Sequence, residues 1–436
     1  MTAREMPRYR ARKEWNGLDL FDRDEGRLTY ISLGSTLAET LLKWGMKDAG
    51  GLRYSAAQGV ANGIGDIGDP VDLVKLGRWN VESLIDTPYP KVPEYASAPR
   101  RIYWELTRRC NLNCRSCFNR QGGISDEMAQ STILKLAKQL YSAGVYEIRC
   151  TGGEPTQRDD LFEIMEGLYQ MGFYISLASN GIYSEETLQK LMKSPVDWII
   201  LSIDGGCEDA NAEIRGPGNF ARVVSTLKVL REKGCRIRIN TLIRRGHFRY
   251  HHLKGLAEIC EEHGVESLNC IPLRPMTNDP TTRDLQLTPA EFKEFIMGLK
   301  QLKQEYNIKF VTTLDLELTS EQDRIYLKDR SCAAGREGAV ISPQGDIYGC
   351  SYSPASDPDA VVEIRQRYVA GNLLEEDFLT VWNDSSRWAI YRDLEIYKNA
   401  KCKTCDYYLR RRCIGNCPIM KEDPGAFDPY CYLHLI

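Results

Sequence analysis

Cys110, Cys114 and Cys117 stand in the run Cys110-Asn111-Leu112-Asn113-Cys114-Arg115-Ser116-Cys117, directly after the strand-like segment Ile102–Leu106. The pattern is C-x3-C-x2-C. Three thiols on one short loop suit an iron–sulfur cluster, whose irons are held by cysteine sulfur. A fourth sulfur would close such a cluster. Three leave one iron open to an outside ligand, which makes the site a place for chemistry rather than a structural staple. Zinc is the competing occupant, although a structural zinc site wants four closed ligands.

The far end of the chain repeats the theme. Seven of the fifteen cysteines lie in residues 331–436. Cys332 is followed after twelve residues by Gly345 and after four more by Cys350; then come Cys402-x2-Cys405-x7-Cys413-x3-Cys417 and a final Cys431. Such spacing marks metal ligands, and a pair of zinc sites and a pair of iron–sulfur sites both satisfy it. Cys150, Cys207, Cys235, Cys260 and Cys270 occur singly and are expected to be buried as small apolar side chains.

Other candidates fall where strand-like runs end. The second run closes in Cys150-Thr151-Gly152-Gly153-Glu154-Pro155. Two glycines let the backbone approach a ligand closely, and the Glu154 carboxylate then offers an acceptor to an ammonium group. The third run ends in Ser179-Asn180-Gly181 and the fourth in Ser202-Ile203-Asp204-Gly205. Both place small polar groups at a ligand-facing rim, although ordinary turn chemistry also favours Asn-Gly and Asp-Gly.

These residues need a scaffold. From Arg101 to about residue 314 the chain alternates strand-like runs (Ile102–Leu106, Tyr146–Thr151, Tyr174–Ser179, Trp198–Asp204, Arg236–Ile243, Ser267–Leu273) with amphipathic helices. Met128–Tyr141 carries Ile133, Leu134, Leu136, Ala137 and Leu140 on one face. Thr288, Pro289 and Glu291 read as the cap of a helix reaching Tyr306. The pattern predicts an α/β protein with a parallel sheet, a partial TIM-like (β/α)6 barrel whose ligand site lies at the strand C-terminal ends. Four regions follow: 1–98 as a small N-terminal region, 99–314 as the barrel, 315–330 as a bridge and 331–436 as a cysteine-rich domain. In the first, Arg27–Leu33 reads as a strand, Ser35–Lys47 as a helix and Ala57–Asp72 as a loop. The loop contains Gly63-Ile64-Gly65-Asp66-Ile67-Gly68, which lacks the flanking strand and helix of a dinucleotide site.

Bulk properties narrow the class. The 436 residues are 42% hydrophobic and 27% charged, with a net charge of −3, values of a soluble globular protein without a nucleic-acid footprint. No apolar run approaches the roughly 18 residues of a membrane span. The N-terminus lacks the apolar core of a secretory signal. Cysteines clustered as metal ligands fit a reducing, cytoplasmic setting.

The first cysteine triad with Gly152-Gly153-Glu154 resembles the radical S-adenosylmethionine (radical SAM) superfamily. The terminal cysteines resemble its SPASM extension, whose usual gap of five residues is here seven. The resemblance implies that Cys110, Cys114 and Cys117 hold a [4Fe–4S] cluster, that SAM binds its open iron, and that Gly152, Gly153 and Glu154 bind the SAM amino group. It places Ser179, Asn180, Ser202, Asp204 and Asn240 toward the cofactor, and Ile271 with Pro272 toward adenine. It also implies two auxiliary [4Fe–4S] clusters, three clusters in all. One would be held by Cys402, Cys405, Cys413 and Cys431, the other by Cys332, Cys350 and Cys417. Two positions depart from the family: Ser116 replaces an aromatic residue before the third cysteine, and Tyr326 stands where some relatives have another cysteine. The implied activity is reductive cleavage of SAM to a 5′-deoxyadenosyl radical that abstracts hydrogen from a substrate. A ribosomally made precursor peptide undergoing crosslinking, epimerisation or backbone excision is the leading substrate. A cofactor- or haem-pathway oxidase of small molecules and a non-catalytic electron-transfer protein are the alternatives. The implied partners are a low-potential electron donor and a peptide bound either by residues 1–98 or by a separate small recognition protein; neither nucleic acid nor membrane is among them.

Overall fold

Strand β5 (Arg101–Thr107) shows how the sheet is built: Ile102 and Trp104 are fully buried on one face, while Glu105 and Thr107 lie on the other. The same alternation runs through β6 (Glu147–Gly152), β7 (Tyr174–Ser179), β8 (Trp198–Ser202), β9 (Ile237–Ile243) and β10 (Ser267–Pro272). Apolar side chains such as Ile148, Ile175, Leu201, Ile239 and Leu268 face helices. The opposite face is polar, with Arg149 bonded to Ser176, Arg238 to Ser267 and Asn269 to Asn240. This computed structural model describes residues 9–14, 17–22, 27–32, 81–85, 95–115, 117, 119, 127–274, 280–312, 332–353, 362–393, 402–405, 408, 417, 419, 428 and 430–431. The expected helix Ser35–Lys47, the loop Ala57–Asp72, the 315–330 bridge, Ser116 and Cys413 lie outside them.

The covering helices are α1 (Gln130–Ser142), α2 (Leu161–Met171), α3 (Glu185–Leu191), α4 (Glu208–Arg215), α5 (Asn219–Glu232), α6 (Tyr250–Glu262) and α7 (Pro289–Glu305). Helix α1 buries Ile133, Leu136, Ala137 and Leu140, the face its spacing predicts. Helix α7 starts with the expected capping box: Thr288 Oγ1 accepts from Glu291 N at 3.2 Å, and the Glu291 carboxylate accepts from Thr288 N at 2.7 Å. Helix α4 was not foreseen. It carries few apolar residues and follows a Gly-Gly turn, so periodicity gives it no signal.

The sheet also runs beyond six strands. Its order is β11-β10-β9-β8-β7-β6-β5-β12-β13-β14, with β11 (Lys309–Thr312) parallel to β10 and β12 (Gly338–Ile341) parallel to β5. Four-residue strands are too short to read by alternation. Strands β13 (Asp346–Tyr348) and β14 (Val369–Asn372) continue antiparallel. Gly345 makes the β12–β13 turn at φ +88°, and a Cβ there would lie 2.8 Å from Leu374. Helices α8 (Val362–Tyr368), α9 (Phe378–Asn383) and α10 (Ala389–Arg392) complete this part. Trp382, fully buried, donates to the Ala96 carbonyl at 2.9 Å, and the Arg392 guanidinium lies 3.6 Å over the Tyr95 ring.

At the other end of the chain, β1 (Tyr9–Glu14), β2 (Gly17–Asp22) and β3 (Arg27–Ser32) form an antiparallel meander, with β4 (Val81–Ile85) parallel to β1. Two buried arginines fasten this sheet beneath the barrel: Arg10 donates to the carbonyls of Val145 and Tyr141, and Arg12 to that of Gly144, at 2.9–3.0 Å. Phe21 stacks on Tyr146. These anchors lie at the start of β6, away from the strand ends that carry the cysteine loop. Among the described residues, no helix is long and apolar enough to cross a membrane.

Candidate functional site

The three-cysteine loop begins three residues after β5 ends, and Gly152 at the end of β6 and Gly153 just beyond it hold the loop. Gly153 N donates to the Thr107 carbonyl at 2.7 Å and Glu154 N to the Arg109 carbonyl at 2.8 Å. A Cβ at Gly152, whose φ is +137°, would lie 2.2 Å from Thr107 O; one at Gly153 would lie 2.3 Å from Arg109 O. The glycines therefore also serve the close approach of two main chains. Arg109 pairs with both oxygens of Glu127 at 3.1 and 3.2 Å, and Asn119 donates to the Arg108 carbonyl. On the far side Arg115 N donates to the Ile214 carbonyl of α4.

Glu154 is fully buried. Its Oε1 accepts from Thr156 N at 3.3 Å, Thr156 Oγ1 at 2.8 Å and Ser179 Oγ at 2.8 Å; its Oε2 accepts from Asn180 N at 2.8 Å. Burial pushes the carboxyl pKa up, and these donors oppose the rise. Asn180 continues the chain of contacts, donating to Asn111 Oδ1 at 2.7 Å, while Asn111 donates to the Ile182 carbonyl at 2.8 Å. Ser179, Asn180, Glu154 and the cysteine loop are thus one bonded unit. Burial also raises the Cys110 and Cys114 thiols, and burial together with the neighbouring Cys114 and Cys110 takes Cys117 to about 12.

Asp204 is buried from the other side. Its Oδ2 accepts from Arg215 Nε at 2.7 Å and its Oδ1 from Leu242 N at 2.6 Å. Arg215, on the unforeseen α4, pulls the Cys114 thiol down against the dominant effect of burial. It brings a cation to the loop from far along the sequence. Ser202 registers beside Asn240 on the inner face, and Asn240 accepts from Asn269 at 3.0 Å. Ile271 registers beside Leu242. Asn269 and Glu105 each keep one buried oxygen without a hydrogen-bond partner among the described residues. Glu105 is tied to the terminal part by the Tyr348 hydroxyl at 2.9 Å.

Cys332, Cys350 and Cys417 lie near enough to one another for their charges to interact. Burial dominates the rise of the Cys350 thiol, and Cys332 and Cys417 add to it. Cys402 is buried beside the half-buried Cys405, whose N–H donates to the Cys402 carbonyl at 3.1 Å; Cys431 is half-buried. Burial raises the Tyr352 hydroxyl pKa, and the nearby Cys350 and Asp204 add to the rise. Of the single cysteines, Cys150, Cys260 and Cys270 are buried and Cys235 is half-buried. Cys207 is exposed at the N-cap of α4, contrary to expectation. Cys110 is exposed and Cys114, Cys117, Cys332, Cys350 and Cys417 are half-buried; all-sulfur donor sets of this kind suit iron–sulfur groups.

Comparisons with known proteins agree with this geometry. Residues 104–275 match the radical SAM superfamily, and residues 332–406 match the SPASM iron–sulfur cluster-binding domain. An AdoMet-dependent heme synthase of Methanosarcina barkeri is 26% identical over 77% of this chain and 97% of its own length. The mycofactocin maturase MftC of Mycobacterium tuberculosis is 26% identical over 79% and 87%, and the PqqA peptide cyclase of Methylorubrum extorquens 26% over 80% and 88%. Streptococcus suis SuiB bound to its precursor peptide SuiA shares the fold, with a TM-score of 0.68 over 98% of each chain at 18% identity. [4Fe–4S] clusters and SAM are implied by these relationships. The chain is a radical SAM enzyme whose barrel is followed by a SPASM domain.

Proposed function

We propose that this enzyme modifies a ribosomally made precursor peptide. The observation that carries the reading is the N-terminal sheet. Strand β3 pairs only with β2 among the described residues and so leaves an edge open, where an extended peptide can add as a further strand. Buried arginines fix that sheet to the barrel, so a bound leader would be held at a constant distance from the strand ends. The maturase and peptide-cyclase relatives support the same substrate class.

In this reading Cys110, Cys114 and Cys117 hold the SAM-binding [4Fe–4S] cluster. Cys402, Cys405, Cys413 and Cys431 hold one auxiliary cluster, and Cys332, Cys350 and Cys417 the other. When bound, SAM and its cluster supply reductive C–S cleavage and hydrogen abstraction, with the electron coming from a low-potential donor. Glu154 keeps spare acceptor capacity on Oε2, which takes one donor where Oε1 takes three, and receives the SAM ammonium there. Arg215, braced by Asp204, supplies positive charge for the SAM carboxylate. Asn180 and Asn111 keep the loop in register with Glu154. Ser202, Asn240 and Ile271 line the inner face where the nucleoside would lie.

The test is anaerobic incubation of reconstituted enzyme with SAM, dithionite and the peptide encoded beside its gene. Formation of 5′-deoxyadenosine with a mass change in the peptide is expected. Heme-synthase relatives cover 77% of this chain and favour a second reading, a haem-pathway oxidase. Turnover of a porphyrin precursor, with the peptide unchanged, would establish that reading instead.

A further inference from the structure

Arg274 stands two residues beyond β10, and its side chain is only 11% exposed. Nη2 donates to both oxygens of Asp428, at 3.0 and 3.2 Å. Nη1 is buried and has no hydrogen-bond partner among the described residues. The guanidinium is fixed in place. Its carbon lies 5.0 Å from the Tyr430 ring centre. Tyr430 N donates to Asp428 at 2.9 Å, and the Tyr430 hydroxyl donates to the Leu273 carbonyl. Asp428 in turn accepts from Cys417 N at 3.1 Å. The arrangement therefore joins the end of β10 directly to a cysteine of the Cys332/Cys350/Cys417 set.

The contact is direct: Asp428 Oδ2 accepts from both Arg274 Nη2, at 3.0 Å, and Cys417 N, at 3.1 Å, so a single carboxylate oxygen bridges the guanidinium and the Cys417 main chain. A buried charged donor without an acceptor is unfavourable, so an acceptor belongs opposite Nη1.

We propose that Arg274 donates Nη1–H to the iron–sulfur group held by Cys332, Cys350 and Cys417, and thereby raises that group's reduction potential. The inference rests on the assignment of these three cysteines as its ligands. Reduction adds one electron, makes or breaks no bond, and asks no proton of Arg274. A fixed cation and a hydrogen bond to sulfur both favour the more negative, reduced form. Asp428, whose negative carboxylate lies against Cys417 N, opposes them. Replacing the two residues should therefore shift the potential in opposite directions, which loss of a purely structural ion pair would not do.

The experiment is an anaerobic dithionite titration followed by electron paramagnetic resonance, on the reconstituted full-length chain. The signal lost on replacing Cys332 and Cys350 with Ala identifies the group. With iron content retained, Arg274→Gln should lower its midpoint by at least a tenfold change in the one-electron equilibrium, about 59 mV. Asp428→Asn should raise it, and Arg274→Lys should fall between wild type and Gln. If the double cysteine variant loses no iron, the ligand assignment fails, independently of Arg274. If iron is lost as expected but the midpoint is unmoved in Arg274→Gln, or moves the same way in Asp428→Asn, the inference is overturned. Should Arg274→Gln not retain the cluster, the Lys and Asn variants decide: equal midpoints in both refute the role.

Discussion

Glu154→Gln separates a cofactor ligand from a structural brace. The carboxylate takes four donors, three on Oε1 and one, Asn180 N, on Oε2. An amide satisfies the three on its oxygen and turns its NH2 toward Asn180 N–H. One buried donor is then unpaired, a local cost of about 1–3 kcal/mol. The SAM ammonium loses a charge-assisted acceptor worth about 1.5–3 kcal/mol, which is roughly 10- to 150-fold in affinity. Ser179→Ala is the comparator, because it removes one donor and keeps the negative charge. SAM affinity by equilibrium dialysis, iron content and thermal denaturation should be measured on both. The expected outcome is a large loss of SAM affinity in Glu154→Gln, a small one in Ser179→Ala, and cluster iron retained in both. Because burial raises the Glu154 pKa, wild-type affinity should also fall as pH drops, beginning above the ordinary carboxylate range near about 4.3. Unchanged SAM affinity in Glu154→Gln would show that the residue only ties β6 to β7 and the cysteine loop.

Reconstituted protein should contain roughly 12 iron with equal sulfide, and Ala at Cys110, Cys114 and Cys117 should remove about four of these, read by colorimetric iron assay; stoichiometric zinc with little iron would contradict the cluster assignments. Replacing Cys402 and Cys405 with Ala should spare 5′-deoxyadenosine formation yet abolish peptide product. Full product from the folded variant, checked by circular dichroism and SAM binding, would make that cluster structural. Glu147 is buried, which raises its pKa, but Arg101 and Arg149 outweigh this and hold it at about 2, below the ordinary 4.5. Its stabilising contribution is therefore complete above pH 4.5 and disappears toward pH 2. It amounts to on the order of 3 kcal/mol, and acid denaturation of Glu147→Gln should lack this component. Trp382→Ala should cost about 3–5 kcal/mol, because it empties a fully buried site and frees the Ala96 carbonyl; a melting temperature near wild type would refute this.

What could be read from residue order was local. Three cysteines on one loop, a glycine pair before a carboxylate, helix faces at 3.6-residue spacing and the Thr288 cap are each written in a few consecutive residues. Their physics, sulfur donors on a short tether or a hydroxyl opposite free N–H groups, needs no distant partner. Features made by contacts between distant residues came into view with the folded chain. Arg215 reaches the cysteine loop because α4 folds back across it, and no spacing links residue 215 to residue 114. The role of Gly152 and Gly153 in seating that loop depends on Thr107, which ends the neighbouring strand, and on Arg109 just beyond it. The short strands β11 and β12 exist because β10 and β5 offer hydrogen-bonding edges, not because their own residues alternate. Arg274 and Asp428, 154 positions apart, meet only when the end of the chain returns to β10, and their bearing on the terminal cysteines arises from that closure.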